Sequence, residues 1–241
     1  MKTFKLFRFK MIEKQRLKNY IFYAIGEIIL VVIGILIALK VNNYNLQEQK
    51  NKQISLTSER VLNILKKDTT EIHNVLKIWN SEELKIDTIL GFTDKNEPIK
   101  NCSSCKEVLY GFVLPQLSKN VITIIETEYL DNGKLGTVLK NIASDYEEMN
   151  RNAIIYESSS TELLKENLAY LRDNFPWFAD FIYKGKCNDD CLAYHNNSID
   201  FRNRVAYLNL VLYDSYYYDL FLFKNKINSH ITELQKLLKK A

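Results

Sequence analysis

Over residues 20–39 polar positions all but vanish from the chain: these twenty residues carry a single charge, Glu27. At 1.5 Å per residue a helix of that length spans about 30 Å, the thickness of a bilayer's hydrocarbon core. Beyond Asn42 the pattern changes. Ile54, Val61, Leu65, Ile72, Val75, Trp79, Ile86 and Ile89 recur at helical spacing with no Gly or Pro before Gly91, which predicts one long helix ending there. A second helical piece is read over 106–117, kinked or ended at Pro115. Thr123 and Glu126 stand at capping-box spacing and predict a short helix, stopped by Asp131-Asn132-Gly133.

A third long helix is expected over 142–174, with Tyr146, Met149, Tyr156, Leu164, Leu168 and Leu171 inward and Phe175-Pro176 as its end. A loop with Gly185, Cys187 and Cys191 should follow. Asn197-Ser198 then cap the last helix. Its stripe, Phe201, Val205, Leu208, Leu212, Tyr216, Leu220, Phe223, Ile227, Ile231, Leu234 and Leu238, is the cleanest in the chain. Helices with one apolar stripe each must bury those stripes against one another. The expected fold is all-α: one N-terminal transmembrane helix, then an up-down bundle of long helices whose second arm is broken into short pieces.

A cleaved signal peptide is the rival reading of the apolar stretch. The stretch is too long for one, and Ile37-Ala38-Leu39-Lys40 has no pair of small residues at cleavage spacing. Residues 1–19 hold seven basic residues and one acid, whereas Lys40, Lys50 and Lys52 are thinly spread after the span. The positive-inside rule therefore orients the anchor. Residues 1–19 form a cytoplasmic tail, 20–41 the transmembrane helix in the inner membrane, and 42–241 a periplasmic helical domain. Phe22, Tyr23 and Tyr44 suit the two interfaces.

At 100° per residue Tyr23, Glu27, Leu30, Gly34 and Ala38 share one helix face, with Gly26 beside them. Gly34 and Ala38 form a small-xxx-small pair, the spacing that lets two helix backbones approach closely. A carboxyl beside that stripe points to a helix–helix contact through a hydrogen bond, either to a second copy or to an envelope protein. The alternative is a snorkelling Glu27 on an accidental stripe.

Charge narrows the remaining classes. The whole chain is +4, but the tail alone supplies +6 and residues 20–40 cancel, which leaves the body at −2. The body thus makes no electrostatic case for nucleic acid. Cys102-Ser-Ser-Cys105 and Cys187-Asn-Asp-Asp-Cys191 are the one chemical motif. Outside the cytoplasm, two close pairs read as two disulfides. Four-cysteine zinc, redox activity and free thiols are the alternatives, and connectivity stays open: each loop closes on itself, or the two are laced together. His73, His195 and His230 match no ligand spacing and read as surface or boundary residues. No phosphate loop, nucleophile elbow or His-Glu-x-x-His occurs, and no cofactor is implied. Tyr217 and Tyr218 fall beside the last helix's stripe, either as part of a wide aromatic core or as a patch for a partner or ligand.

Residues 23–43, YAIGEIILVVIGILIALKVNN, resemble the opening of a Bacteroidetes family of membrane-anchored proteins known as a domain of unknown function. Thr123, Tyr129-Leu130, Gly133-Lys-Leu135, Val138 and Asn141 are similar to that family's mid-domain pattern. Where the family usually has Gln and Trp, this chain has Lys40 and Tyr44. The resemblance implies a short cytoplasmic N-terminus, one span and a helical outer domain, and no catalytic or ligand residues.

Three functions fit unequally. The first is a non-enzymatic anchor whose bundle serves as an interaction or scaffold component of the envelope. The second is a ligand-sensing outer domain that signals through a partner membrane subunit, since a 19-residue tail is too short for an output domain. The third, a hydrolase or transferase, lacks an acid–base or nucleophile constellation.

Overall fold

The computed structural model describes residues 2–92, 103–128, 130 and 133–240. Every regular element among them is helical. The order is α1 (Lys2–Leu90), a 3-10 turn (Ser103–Glu107), α2 (Val121–Glu126), α3 (Lys134–Asn174), α4 (Phe178–Lys184), α5 (Asp189–Asn197) and α6 (Ile199–Leu208). A π-helical segment (Asn209–Tyr216) then leads into α7 (Tyr217–Leu238). The chain divides into two compact units, Met1–Gln53 and Ile54–Ala241.

In the first unit the described apolar side chains have almost no protein cover. Ile28, Leu30, Ile33 and Leu36 are all exposed. Exposing such a row to water is unfavourable, and exposing it to hydrocarbon is not. Among the described residues this is the one helix long and apolar enough to cross a membrane.

The second unit holds the core. Every member of the predicted α1 stripe, from Ile54 to Ile89, is buried. So is the last helix's stripe, apart from Ile231 and Leu238, which are partly covered. Burying each such side chain is worth about 1.5–3 kcal/mol. Gly91 ends α1 with φ +85°, its N–H donating to the Asp87 carbonyl, a left-handed close that glycine adopts at no steric cost. Arg202 from α6 donates to the Leu90 carbonyl at 2.9 Å, satisfying one more acceptor at that helix end.

Cross-links fix the directions. Trp79 meets Tyr213, and Leu90 meets Arg202, so α1 runs antiparallel to the last helix. Asn152 bonds Asp219 and Asn167 bonds Arg204, so α3 is antiparallel to it as well. The return arm between α1 and α3 departs from expectation. Residues 106–117 form no helix beyond the 3-10 turn; from Gly111 to Ser118 the chain has no regular structure. Val113 accepts from Trp79, Gln116 donates to Glu71 and Ser118 donates to Asp68. Trp79 to Asp68 is about 16 Å of helix, which Val113 to Ser118 can cover only when extended. Side chains of α1 supply backbone partners that a helix would have found internally.

Smaller boundaries also move. α2 begins at Val121 after Asn120, so Thr123 lies inside it and the capping-box reading fails. α3 starts at Lys134, eight residues before the predicted 142, with Gly133 at its N-cap. Its distal half buries Leu163 and Asn167 in place of Leu164 and Leu168. The polar Asn167 disguised that face. Its Oδ1 accepts from Arg204 at 2.8 Å, which makes its burial tolerable. The loop expected after Pro176 contains α4, closed by Gly185 at φ +66°, and α5. Ser198 caps α6 as predicted, its side chain accepting from the Phe201 N–H.

Candidate functional site

An open cleft of about 800 Å³ lies in the second unit. Trp79 from α1, Tyr110 and Phe112 from the extended arm, Phe181 from α4 and Tyr213 from the π segment give it an aromatic lining. Glu82, Lys85, Lys106 and Glu107 add charge, with Lys85 held by Glu82 at 2.7 Å. Trp79 is fully buried, its Nε1–H donating to the Val113 carbonyl at 2.8 Å, and it packs edge-on against Tyr213. Burial raises the phenol pKa of Tyr110. Burial, then the nearby Glu82, does the same for Tyr213. Both hydroxyls stay protonated and able to donate.

Behind Tyr110 stands His195, at 0% exposure. Its ring packs among Trp177, Phe181, Tyr194 and Phe201, with centroids 5.0–5.5 Å away. Nδ1 lies 2.7 Å from the Cys191 carbonyl oxygen, which can only accept, so Nδ1 carries the proton. Nε2 is therefore the acceptor of the Tyr110 hydroxyl at 3.0 Å. Burial pushes the imidazole pKa down to about 4, against the opposing pull of the Cys191 carbonyl. The ring is neutral.

Cys187 and Cys191 are joined to each other in a disulfide at the start of α5, where the Asn188 side chain caps the helix by accepting from the Cys191 N–H. The Cys191 Sγ lies 3.7 Å from the His195 Nδ1. Cys105 is disulfide-bonded as well; Cys102 lies outside the described residues. This loop therefore closes on itself, and the two cysteine pairs are not laced together through Cys187 or Cys191.

The other residues singled out from sequence are placed differently. Gly26, Glu27, Gly34 and Ala38 are exposed, and a Cβ added at Gly26 or Gly34 would meet nothing within 4 Å. Tyr217 packs against the core, Tyr218 is 61% exposed, and neither lines the cleft. His195, expected to be a surface or boundary residue, is instead fully buried at the centre of an aromatic cluster. One signal for it stood in the sequence: His195 follows Cys191 by four residues, the spacing that makes two side chains neighbours on a helix. Tyr110, Trp79 and Tyr213 gave no such signal, because the extended arm and the π segment bring them together.

Residues 27–133 match the model of a family of unknown function (DUF6090). The match takes in most of the apolar stretch and the chain as far as the residue before α3. No curated protein and no solved structure matches the chain.

Proposed function

We propose that the chain is a single-span, inner-membrane protein whose periplasmic helical domain senses a small ligand and signals through a partner membrane subunit. The carrying observation is the cleft. Its partly open aromatic faces, Tyr110 and Phe112, are backed by the buried Trp79, Phe181 and Tyr213 and stand beside charged groups of both signs. That is the makeup of a site for a small molecule with an apolar body and a polar handle. The cleft also touches Tyr110, so occupancy bears directly on the His195 hydrogen bond. We read the domain as a binding module rather than an enzyme.

The basic tail of residues 1–19 supports a cytoplasmic N-terminus. A phosphatase fused after Ala241 is expected to be active; an inactive fusion with a normally expressed chain would reverse the orientation.

The ligand reading is tested by filling the cleft. Gly111 lines it, and a Cβ there meets nothing within 4 Å, so Gly111→Phe adds bulk without a clash at its root. Protein extracted from its own membranes in mild detergent should release a small molecule on denaturation, detectable by mass spectrometry. Gly111→Phe should release far less. Equal release from both proteins, or none from the wild type, counts against sensing and returns the chain to the scaffold reading. That reading draws on Ile154 and Ile155 of α3 and Tyr218 of α7, all more than half exposed.

A further inference from the structure

The disulfide of Cys187 and Cys191 holds its atoms in an arrangement with a second use. Both Sγ atoms and the His195 Nδ1 lie within 4.8 Å of one another. Cys191 and His195 are fully buried, whereas Cys187 is partly open. We infer that, once reduced, this cluster binds one zinc ion through Cys187 Sγ, Cys191 Sγ and His195 Nδ1.

Two thiolates and one imidazole are a donor set that thiophilic d10 ions favour. With Zn²⁺ the two thiolate charges are cancelled, so a cluster set in aromatic surroundings carries no net charge. Three protein ligands leave a fourth position for water on the open side of Cys187. Tyr110 completes the arrangement. In the disulfide form His195 Nε2 accepts from its hydroxyl. In the zinc form the ring proton resides on Nε2 and donates to the same oxygen, because a hydroxyl accepts as readily as it donates. Tyr110 thus stays bonded to the ring in both states, while the Nδ1–H bond to the Cys191 carbonyl is given up to the metal.

A dithiol can carry out the reduction. One of its thiolates attacks the open Cys187 Sγ and expels the Cys191 thiolate; its second thiol then releases Cys187 and the reductant departs as a disulfide. Two electrons and two protons enter the protein. Zinc then displaces the two thiol protons. The inference is independent of whether the cleft takes a ligand.

The test is a zinc titration of the full chain in detergent, reduced with a phosphine and desalted without oxygen. One zinc per chain should bind to the reduced form and none to the oxidised form, with two thiols protected from alkylation. Cobalt in place of zinc should give a thiolate charge-transfer band. Cys187→Ser should abolish binding, His195→Gln should weaken it at least tenfold, and a Cys102→Ser/Cys105→Ser double variant should bind as the wild type does. Helical circular dichroism checks that each variant folds. A folded Cys187→Ser that retains zinc, loss of zinc in the Cys102/Cys105 variant, or a reduced wild type that binds none would each overturn the assignment. A reduced wild type that binds no zinc overturns the assignment whatever the variants do, and zinc retained by the Cys102→Ser/Cys105→Ser variant assigns the ion to Cys187 and Cys191.

Discussion

The Tyr146 hydroxyl donates to Asp68 Oδ2 at 2.8 Å, joining α3 to α1 inside the core. Asp68 has 0% exposure and accepts twice more, from the Ser118 hydroxyl at 2.7 Å and the Ser118 N–H at 3.1 Å. One carboxylate therefore ties together two helices and the extended arm. Tyr146→Phe removes a single donor and should destabilise the chain by about 1 kcal/mol, whereas Asp68→Ala leaves three donors without their acceptor and should cost about 3 kcal/mol. Thermal or urea unfolding of the two variants measures the ratio. Equal losses would mean that Ser118 contributes nothing.

Alkylation of the unreduced, denatured chain should label no thiol, since no described cysteine is free. Cys187 and Cys191 are separated by 4 in sequence, and so short a loop gains only about 2 kcal/mol on the chain-entropy estimate. Cys187→Ala/Cys191→Ala should lower stability by about that amount and leave the bundle folded. A much larger loss would show that the bridge also holds the His195 cluster in place.

Asp145 supplies an acid-sensitive contribution. Partial burial raises its pKa, but hydrogen bonds from His230 and Lys226 outweigh that and hold it below the usual carboxylate value of 3.8. A depressed carboxylate pKa stabilises the fold above the unfolded pKa, and the contribution disappears as pH falls through the folded one. Wild type should therefore be more stable than Asp145→Asn at neutral pH, and the two melting curves should converge below about pH 4. A gap that persists in acid would assign the effect to packing.

The span gives a cleaner separation of causes. Within one chain Gly34→Ile meets no obstacle, because nothing lies within 4 Å of the added Cβ. Any loss of self-association in a membrane reporter therefore belongs to a second helix. Gly34→Ile should abolish association, and Glu27→Leu should weaken it by about tenfold, the equivalent of about 1.4 kcal/mol and within the range of one intramembrane hydrogen bond. Glu27→Gln should largely keep it. If Glu27→Leu associates as well as wild type, the acid only snorkels.

Where the partner of a side chain is its own helix face, the sequence disclosed it. Ile54 to Ile89, Phe201 to Leu234, Gly91 and Ser198 all stand where local periodicity and capping chemistry put them. Where the partner is remote, it did not. The segment after Tyr110 mixes Leu114, Gln116 and Leu117 with the poor helix formers Gly111, Val113 and Pro115, and its backbone is claimed by Trp79, Glu71 and Asp68, 34 to 50 residues earlier. The early start of α3 is a different miss. Leu135, Val138, Leu139 and Ile142 already carry the helical repeat, and Gly133 was read only as the end of the preceding helix. The aromatic cluster around His195 was out of reach, since α4, α5, α6 and the extended arm all contribute to it.

The last helix steps from Leu208 to Leu212, Tyr216 and Leu220 in three successive strides of four, too long for an α-helix to keep on one face. The wider i→i+5 turn of the π segment absorbs the excess, so Leu212, Tyr216 and Leu220 are all fully buried. Elsewhere in this helix an inserted or deleted residue would swing everything beyond it by about 100° and bring polar side chains into the core. Between Asn209 and Tyr216 the chain has slack. Loss of one residue there would return the segment to α pitch and keep the helix beyond it in register, while altering how Tyr213 faces the cleft.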